Sequence, residues 1–271
     1  MNKTISAAKA ALAKHNKLPF SLYSAAREQK LLNVPITNPL LILVLSGSKE
    51  IDHLVLTPGK FIFLSNTPKL NMRNIPNPGN YFSILIEFQS SDFLDFPRTD
   101  NAETHYIQGP VDTPLETLVL QFIEWASLAP EEILHHRRKE ILHLLHHSGY
   151  KNVGNLAEID NFSNRVKNII QSDYSREWAA EDLALKLNMS QSSIRRRLQT
   201  ENNSIQAIRK QAKLSHGLHL VQTTAYSIGN IAEHCGYQSQ SRFTDQFKAL
   251  FGMTPSELRK SQASIRHSEN N

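Results

Sequence analysis

Apolar positions fall into three regimes along the chain. Over residues 20–96 they form short runs broken by turn formers, which predicts strands at 20–24, 40–46, 49–56, 60–64 and 81–88. The breaks are Asn38-Pro39, Gly47-Ser48, Pro58-Gly59 and Asn77-Pro78-Gly79-Asn80. Strands this short and this closely spaced predict a sandwich or small barrel. Over 115–147 the period becomes helical: Leu115, Leu118, Val119 and Phe122 make one stripe, and Leu134, Ile141, Leu144 and Leu145 another. From Ala179 onward the helical period recurs in two units punctuated as helix-turn-helix motifs, at 179–201 and 227–251.

The second unit is the more sharply written. Ser227 can cap a helix with Ile228, Ile231 and Ala232 on one face, and Gly236 permits a tight turn. The next helix begins near Ser239, turns Phe243, Phe247 and Leu250 inward, and leaves Gln240, Ser241, Arg242, Thr244 and Asp245 outside. Gly252 stops it, and Pro255 starts a short helix holding Leu258 and Arg259. In the first unit Leu183, Ala184 and Leu187 face inward, Asn188-Met189 makes the turn, and Ser190 caps a helix containing Ile194 and Leu198. Its outer face carries Gln191, Ser192, Arg195, Arg196 and Arg197. Three consecutive arginines can be no more than a solvated face, but on a recognition helix they are placed to meet nucleic acid. Residues 204–223 predict one long helix that links the units. If it holds the recognition helices about 34 Å apart, they enter successive major grooves.

Charge sharpens the division. From Ser163 to the end there are 15 Lys and Arg against 9 Asp and Glu, a net of +6, while the preceding residues carry 15 against 16, a net of −1. Basicity therefore belongs to the helix-turn-helix end, as affinity for phosphate requires. The 271 residues suffice for two domains. Cys235 is the only cysteine, which excludes an internal disulfide and suits a reducing compartment; just before Gly236 it reads as a buried structural thiol. Residues 1–17 fit an amphipathic helix and neither a signal peptide nor a membrane span, so a cytoplasmic protein is expected.

Five histidines crowd the second helical stripe: His135, His136, His143, His146 and His147. The spacing of the last three could serve one metal, but Arg137, Arg138 and Lys139 would repel it, and a polar helix face is the preferred reading.

Residues 165–260 resemble the DNA-binding domain of the AraC/XylS family of transcription regulators. The resemblance is carried by Trp178-Ala179-Ala180-Glu181-Asp182-Leu183-Ala184, by the segment from Met189 to Arg196, by Ile228 to Tyr237, and by Ser239 to Lys248 running into Phe251-Gly252-Met253-Thr254-Pro255-Ser256-Glu257-Leu258-Arg259. It implies that Ser192, Arg195 and Arg196 meet bases in one groove, and Gln240, Ser241, Arg242 and Thr244 in the next. Ala179 departs from the usual capping hydroxyl, Asn188 and Asn203 stand at turn positions often held by Gly, and Asp245 replaces a position that is often basic. An acid there can accept from cytosine, or pair with Arg242. The turns at 47–49 and 57–59, and the segment from Arg138 to Gly149, resemble more loosely the cupin-like sensor domain that often precedes this domain. In the family its helical end often forms a dimer contact, and packing on the sandwich is the alternative.

The expected architecture is an α+β multidomain chain. A cupin-like sensor and dimerisation sandwich or barrel covers 1–148, with its helical part at about 114–148. A linker follows at 149–162, then an all-α DNA-binding domain at 163–261 and a tail at 262–271. The expected function is sequence-specific DNA binding at promoters, in the sense of an activator, by a homodimer that engages RNA polymerase and whose N-terminal domain senses a small-molecule effector. Control by a partner protein is the alternative to a ligand. A metal-dependent cupin enzyme is the competing class. It would need clustered His and carboxylate on the strands, yet His53 is the single histidine over residues 20–96, and neither a phosphate loop nor a nucleophile elbow occurs. No catalytic, cofactor-binding or metal-binding residue is nominated.

Overall fold

A computed structural model describes residues 1–15, 18–98, 105–126, 128–157 and 161–263. The chain divides into two compact units, Met1–Glu158 together with Lys260–Asn271, and Ile159–Arg259.

The first unit is a β-sandwich with helices on one side. Helix α1 (Asn2–Lys14) precedes strands β1 (Phe20–Ala25), β2 (Gln29–Ile36), β3 (Leu40–Ser46), β4 (Ser48–Ile51), β5 (Leu54–Leu56), β6 (Lys60–Leu64), β7 (Thr67–Ile75), β8 (Tyr81–Glu87) and β9 (Tyr106–Pro110). Helices α2 (Thr113–Ala126) and α3 (Glu131–His147) follow. The strands make two antiparallel sheets, in the order β1-β8-β3-β6-β9 and β2-β7-β4-β5. Because side chains alternate along a strand, the five-stranded sheet has two working faces. Leu22, Leu41, Leu43, Phe61, Phe63, Ile84 and Ile86 share a core with Val119 and Phe122 of α2, Ile141 and Leu145 of α3, and Ala8 and Ala11 of α1. The intervening residues, Tyr81, Ser83 and Leu85 among them, face the four-stranded sheet.

Six of the nine strands coincide with the predicted runs to within one residue or lie inside them, and the departures have local causes. The run at 49–56 is a hairpin, because Asp52 takes the left-handed conformation at φ 48° and its carboxylate accepts from Asn71 N–H at 3.0 Å. Strand β2 escapes the alternation pattern because Asn33 at φ 50° and two register shifts against β7 interrupt it. Strand β7 escapes because its inward side chains include a polar one, Asn74. Gly47, at φ 68°, is required by contact as well as conformation: a Cβ there would sit 2.6 Å from the Ile75 carbonyl oxygen.

The 149–162 linker is not a free tether. Its residues 153–156 form a 3-10 turn in which Val153 and Leu156 are fully buried, and Gly154 lies against the carbonyls of Phe96 and Pro97. Residues 158–160 lie outside the described residues. The expected tail begins in contact too: the Ala263 carbonyl accepts from the Ser24 hydroxyl at 3.3 Å. Its residues 264–271 lie outside the description.

The histidines of α3 do not converge: His143 lies against the Phe96 ring at 4.7 Å, and His135 and His136 contact each other at 3.7 Å. Arg138 instead pairs with buried Asp92, Nε to Oδ2 at 2.6 Å. Among the described residues no helix is long and apolar enough to cross a membrane.

The second unit is all helical: α4 (Phe162–Gln171), α5 (Ala180–Leu187), α6 (Gln191–Thr200), α7 (Ile205–Thr223), α8 (Ile228–His234), α9 (Gln240–Phe251) and α10 (Pro255–Lys260), the last residue of which is grouped with the first unit.

Candidate nucleic-acid interface

Helices α5 and α6 form the first helix-turn-helix. Asn188, at φ 51° and ψ 47°, closes α5 in the left-handed conformation that asparagine tolerates. Ala179 offers no capping side chain, but Asp182 reaches back to accept from Ala179 N–H at 3.0 Å and is itself held by Arg176. The start of α5 is thus half capped from within, and the backbone N–H of Ala179 draws the Asp182 carboxyl below its ordinary range, more than burial raises it. Ser190 caps α6 by accepting from Ser193 N–H at 3.2 Å. Ile194 and Leu198 are buried with Trp178, Leu183, Val166 and Ile208. At the far end of α6, Glu201 accepts from the N–H groups of Phe162 and Ser163 at 2.8 and 2.7 Å, which ties α6 to the start of α4.

Helices α8 and α9 form the second. Ser227 and Ser239 cap them, accepting from Asn230 N–H at 3.1 Å and Arg242 N–H at 3.3 Å. Phe243, Phe247 and Phe251 are fully buried and run along α9 at ring separations of 5.6 and 4.7 Å. The inward residue at the end is therefore Phe251; Leu250, expected there, is only partly covered. Cys235 is buried beside this ladder, and burial pushes its thiol up to about 12, so it is no thiolate at neutral pH.

The nominated side chains are distributed as follows. Ser192, Arg195 and Arg196 are exposed on α6, with Ser192 Oγ 3.0 Å from Ser190 Oγ. Arg197 turns away, its guanidinium lying 5.5 Å over the Phe162 ring. Gln240, Ser241 and Arg242 are exposed on α9 and Thr244 is partly covered. Asp245 is exposed, and among the described residues no ion pair joins it to Arg242. The left-handed turn residue after α6 is Asn202, at φ 52°, rather than Asn203. Asn203 bonds the Ser163 hydroxyl instead, at 3.2 Å.

The joint between the motifs is more than a connecting helix. Lys213 of α7, 5% exposed, donates to Glu177 Oε2 at 3.1 Å and to the Gly236 carbonyl at 3.2 Å. Arg209, one turn earlier, bonds Glu177 at 2.6 Å and the Trp178 carbonyl at 3.0 Å. One turn later His216 stacks on Tyr174, with ring centres 4.0 Å apart and 4° between planes; burial pushes it down to about 4, so the ring is neutral. The turn of the second motif sits directly on the segment leading into the first. A Cβ on Gly236, at φ 67°, would lie 2.7 Å from Lys213 Nζ, 2.8 Å from the Ser175 carbonyl and 2.9 Å from that of Tyr174. Sequence reasoning missed Lys213, Arg209 and Glu177. Its available signal was the i, i+4 spacing of two cations on a helix face that is otherwise inward.

Residues 183–261 match the profile of a helix-turn-helix domain family. The chain is 32% identical over 103 residues to the HTH-type transcriptional activator CfaD of Escherichia coli, covering 38% of this chain and 39% of that one. It is 38% identical over 91 residues to the transcriptional regulator SirC of Salmonella typhimurium, covering 34% and 31%. The chain thus spans less than two fifths of the length of these relatives. In overall fold it is similar to ToxT of Vibrio cholerae, solved with an unsaturated fatty acid bound, at 14% identity and a TM-score of 0.65 over 94% of this chain and 100% of that one.

Proposed function

The C-terminal unit is an AraC-type helix-turn-helix domain, and from that premise we propose that the chain is a sequence-specific DNA-binding transcription regulator. The observation that carries this reading is the pair of serine-capped helices α6 and α9. Each buries its apolar stripe and leaves base-reading side chains free of ion pairs among the described residues. Arg195 and Arg196 are the bidentate donors of the first helix, with Ser192 beside them. Gln240, Ser241, Arg242 and Thr244 are the readers of the second. The two enter successive major grooves of a promoter duplex.

Activation is the proposed sense, in keeping with the name of CfaD. The sandwich is proposed as a sensor for a small molecule, a use that ToxT, with its bound fatty acid, illustrates for this fold. Homodimerisation through the helical side is supported by Trp125, Leu128 and Ile133, apolar and exposed at the turn between α2 and α3. RNA polymerase is the proposed further partner, the cytoplasm the proposed location, and no catalytic or cofactor role is assigned.

Selection of sites from a random duplex library by the full chain tests the reading. An enriched bipartite site is expected. Arg195→Ala or Arg196→Ala should weaken binding to it by about 1–3 kcal/mol and relax preference at particular bases in one half, while Arg242→Ala should act on the other half. Failure to enrich any sequence would sink the proposal.

A further inference from the structure

Helices α6 and α9 are written to one pattern. Each opens on a serine whose hydroxyl accepts from the N–H three residues on, Ser190 from Ser193 and Ser239 from Arg242. Each then buries an apolar pair four and eight residues after that cap, Ile194 and Leu198 in α6, Phe243 and Phe247 in α9. With caps and buried pairs in register, Ser241 stands where Ser192 does, Thr244 where Arg195 does, and Asp245 where Arg196 does.

A residue midway between two inward ones four apart lies about 200° round the helix from one of them and as far from the other. Arg196 is midway between Ile194 and Leu198, and Asp245 midway between Phe243 and Phe247, so each stands on the crest of its helix, and both are exposed. One turn nearer the cap each crest carries a serine, Ser192 or Ser241. One turn beyond Asp245 it carries exposed Ala249, short enough to let the helix approach a groove floor. The two crests therefore match in position and differ in charge. Arg242 and Lys248 stand three residues to either side of Asp245, a spacing at which ion pairs form on a helix. Among the described residues Asp245 bonds neither, and its carboxylate is left open to whatever α9 meets.

A carboxylate accepts hydrogen bonds and donates none. In the major groove guanine offers only the acceptors N7 and O6, and thymine offers O4 and a methyl group. Adenine sets the acceptor N7 beside its amino group, whereas cytosine offers the N4 amino donor alone. An arginine in the same place has the opposite preference and takes guanine. We propose that Asp245 is a specificity-determining residue of the second helix, accepting from the N4 amino group of a cytosine at the place equivalent to the guanine that Arg196 takes in the first half-site. The inference rests on the reading of α6 and α9 as base readers, and adds to their set one side chain and its base. The same carboxylate repels the acceptors of guanine, so it rejects as well as selects. A duplex read by one chain then carries unlike half-sites, which gives the chain one preferred direction along it.

The test is selection from a random duplex library by the full chain, repeated with Asp245→Ala and Asp245→Asn. The unmodified chain should enrich a bipartite site with cytosine at one position of the half that Arg242→Ala disturbs. Asp245→Ala should lower discrimination of cytosine over guanine there about tenfold and leave the other positions as they were. Asp245→Asn should move the preference at that position to adenine, whose N6 and N7 an amide matches. Neither change touches the core, and a second measurement needs no variant. Replacing that cytosine by 2-pyrimidinone, which lacks the amino group, should weaken binding of the unmodified chain about tenfold, and the same replacement outside the site should not. A bipartite site whose base preferences survive Asp245→Ala overturns the inference and leaves the regulator reading standing. So does uniform tightening on all duplexes, the mark of relieved phosphate repulsion, or equal binding of the 2-pyrimidinone duplex. Enrichment of no sequence at all overturns both.

Discussion

Each unit buries a lysine, and the two are solvated in opposite ways. In the helical unit Lys213 reaches a carboxylate that keeps 68% of its side chain in solvent, and a backbone carbonyl, so its charge is matched where it lies. In the sandwich Lys49 reaches one amide oxygen and the Tyr81 ring, neither of which brings a negative charge. A matched buried cation acts as a bolt: it holds the second motif's turn on the lead-in to the first. An unmatched one gives up charge instead: burial pushes the Lys49 amine down to about 7.

The largest effect expected from breaking this contrast is at Gly236. A methyl group there meets Lys213 and two carbonyls below 3 Å at a positive φ, so Gly236→Ala should destabilise the helical unit by about 3 kcal/mol. Chemical denaturation read on a fragment-independent probe, such as Trp178 fluorescence in the full chain, checks this; a loss below about 1 kcal/mol would mean that the turn is not seated as described.

Lys213→Met comes next. It orphans the Gly236 carbonyl and leaves Glu177 to Arg209 alone, for about 1–3 kcal/mol. Its sharper consequence is on reading: the preferred spacing between half-sites should broaden in library selection, while base preference within each half is kept. Lys213→Arg should restore the spacing, and an unchanged spacing in folded Lys213→Met would remove Lys213 from that role.

The smallest effect is the most diagnostic of the sandwich. With its amine at about 7 in the folded chain and near its ordinary 10.5 when unfolded, Lys49 is more protonated in the unfolded state between those values. Stability contributed at this site therefore rises as pH climbs from about 7 to about 10.5 and is flat below 7. Lys49→Met should remove that rise in a denaturation series across the window. The comparison with the unmodified chain isolates Lys49 from Cys235, whose raised thiol works in the opposite direction at higher pH. A parallel pair of curves would show that Lys49 does not titrate as described.

Much of the helical unit was legible in advance for a simple reason. Helix caps, turn glycines and i, i+3, i+4 apolar spacing are local, so Ser190, Ser227, Ser239, Gly252 and the buried faces of α6 and α9 can be read from neighbours in the chain. Where local signals were off by a step, geometry chose between near-equivalent residues: Asn202 instead of Asn203, Phe251 instead of Leu250. The sandwich was half legible. Strands with an apolar inner face stood out, whereas β2 and β7 did not, because bulges or inward polar side chains break the alternation that marks a strand, and β9 did not because Ile107 is its one buried residue.

By itself the sequence determined that this chain carries two capped helix-turn-helix motifs on a basic end, behind a run of short strands, because those properties depend on residue type and short spacing. Only the tertiary structure decided which polar residues are buried together. Lys49 meets Asn74 and Tyr81, Asn74 meets Gln29, and Lys213 meets Glu177 and Gly236, across separations in sequence that no local pattern encodes. The energy of a buried charge depends on the atoms within a few ångströms of it, and the fold alone selects those.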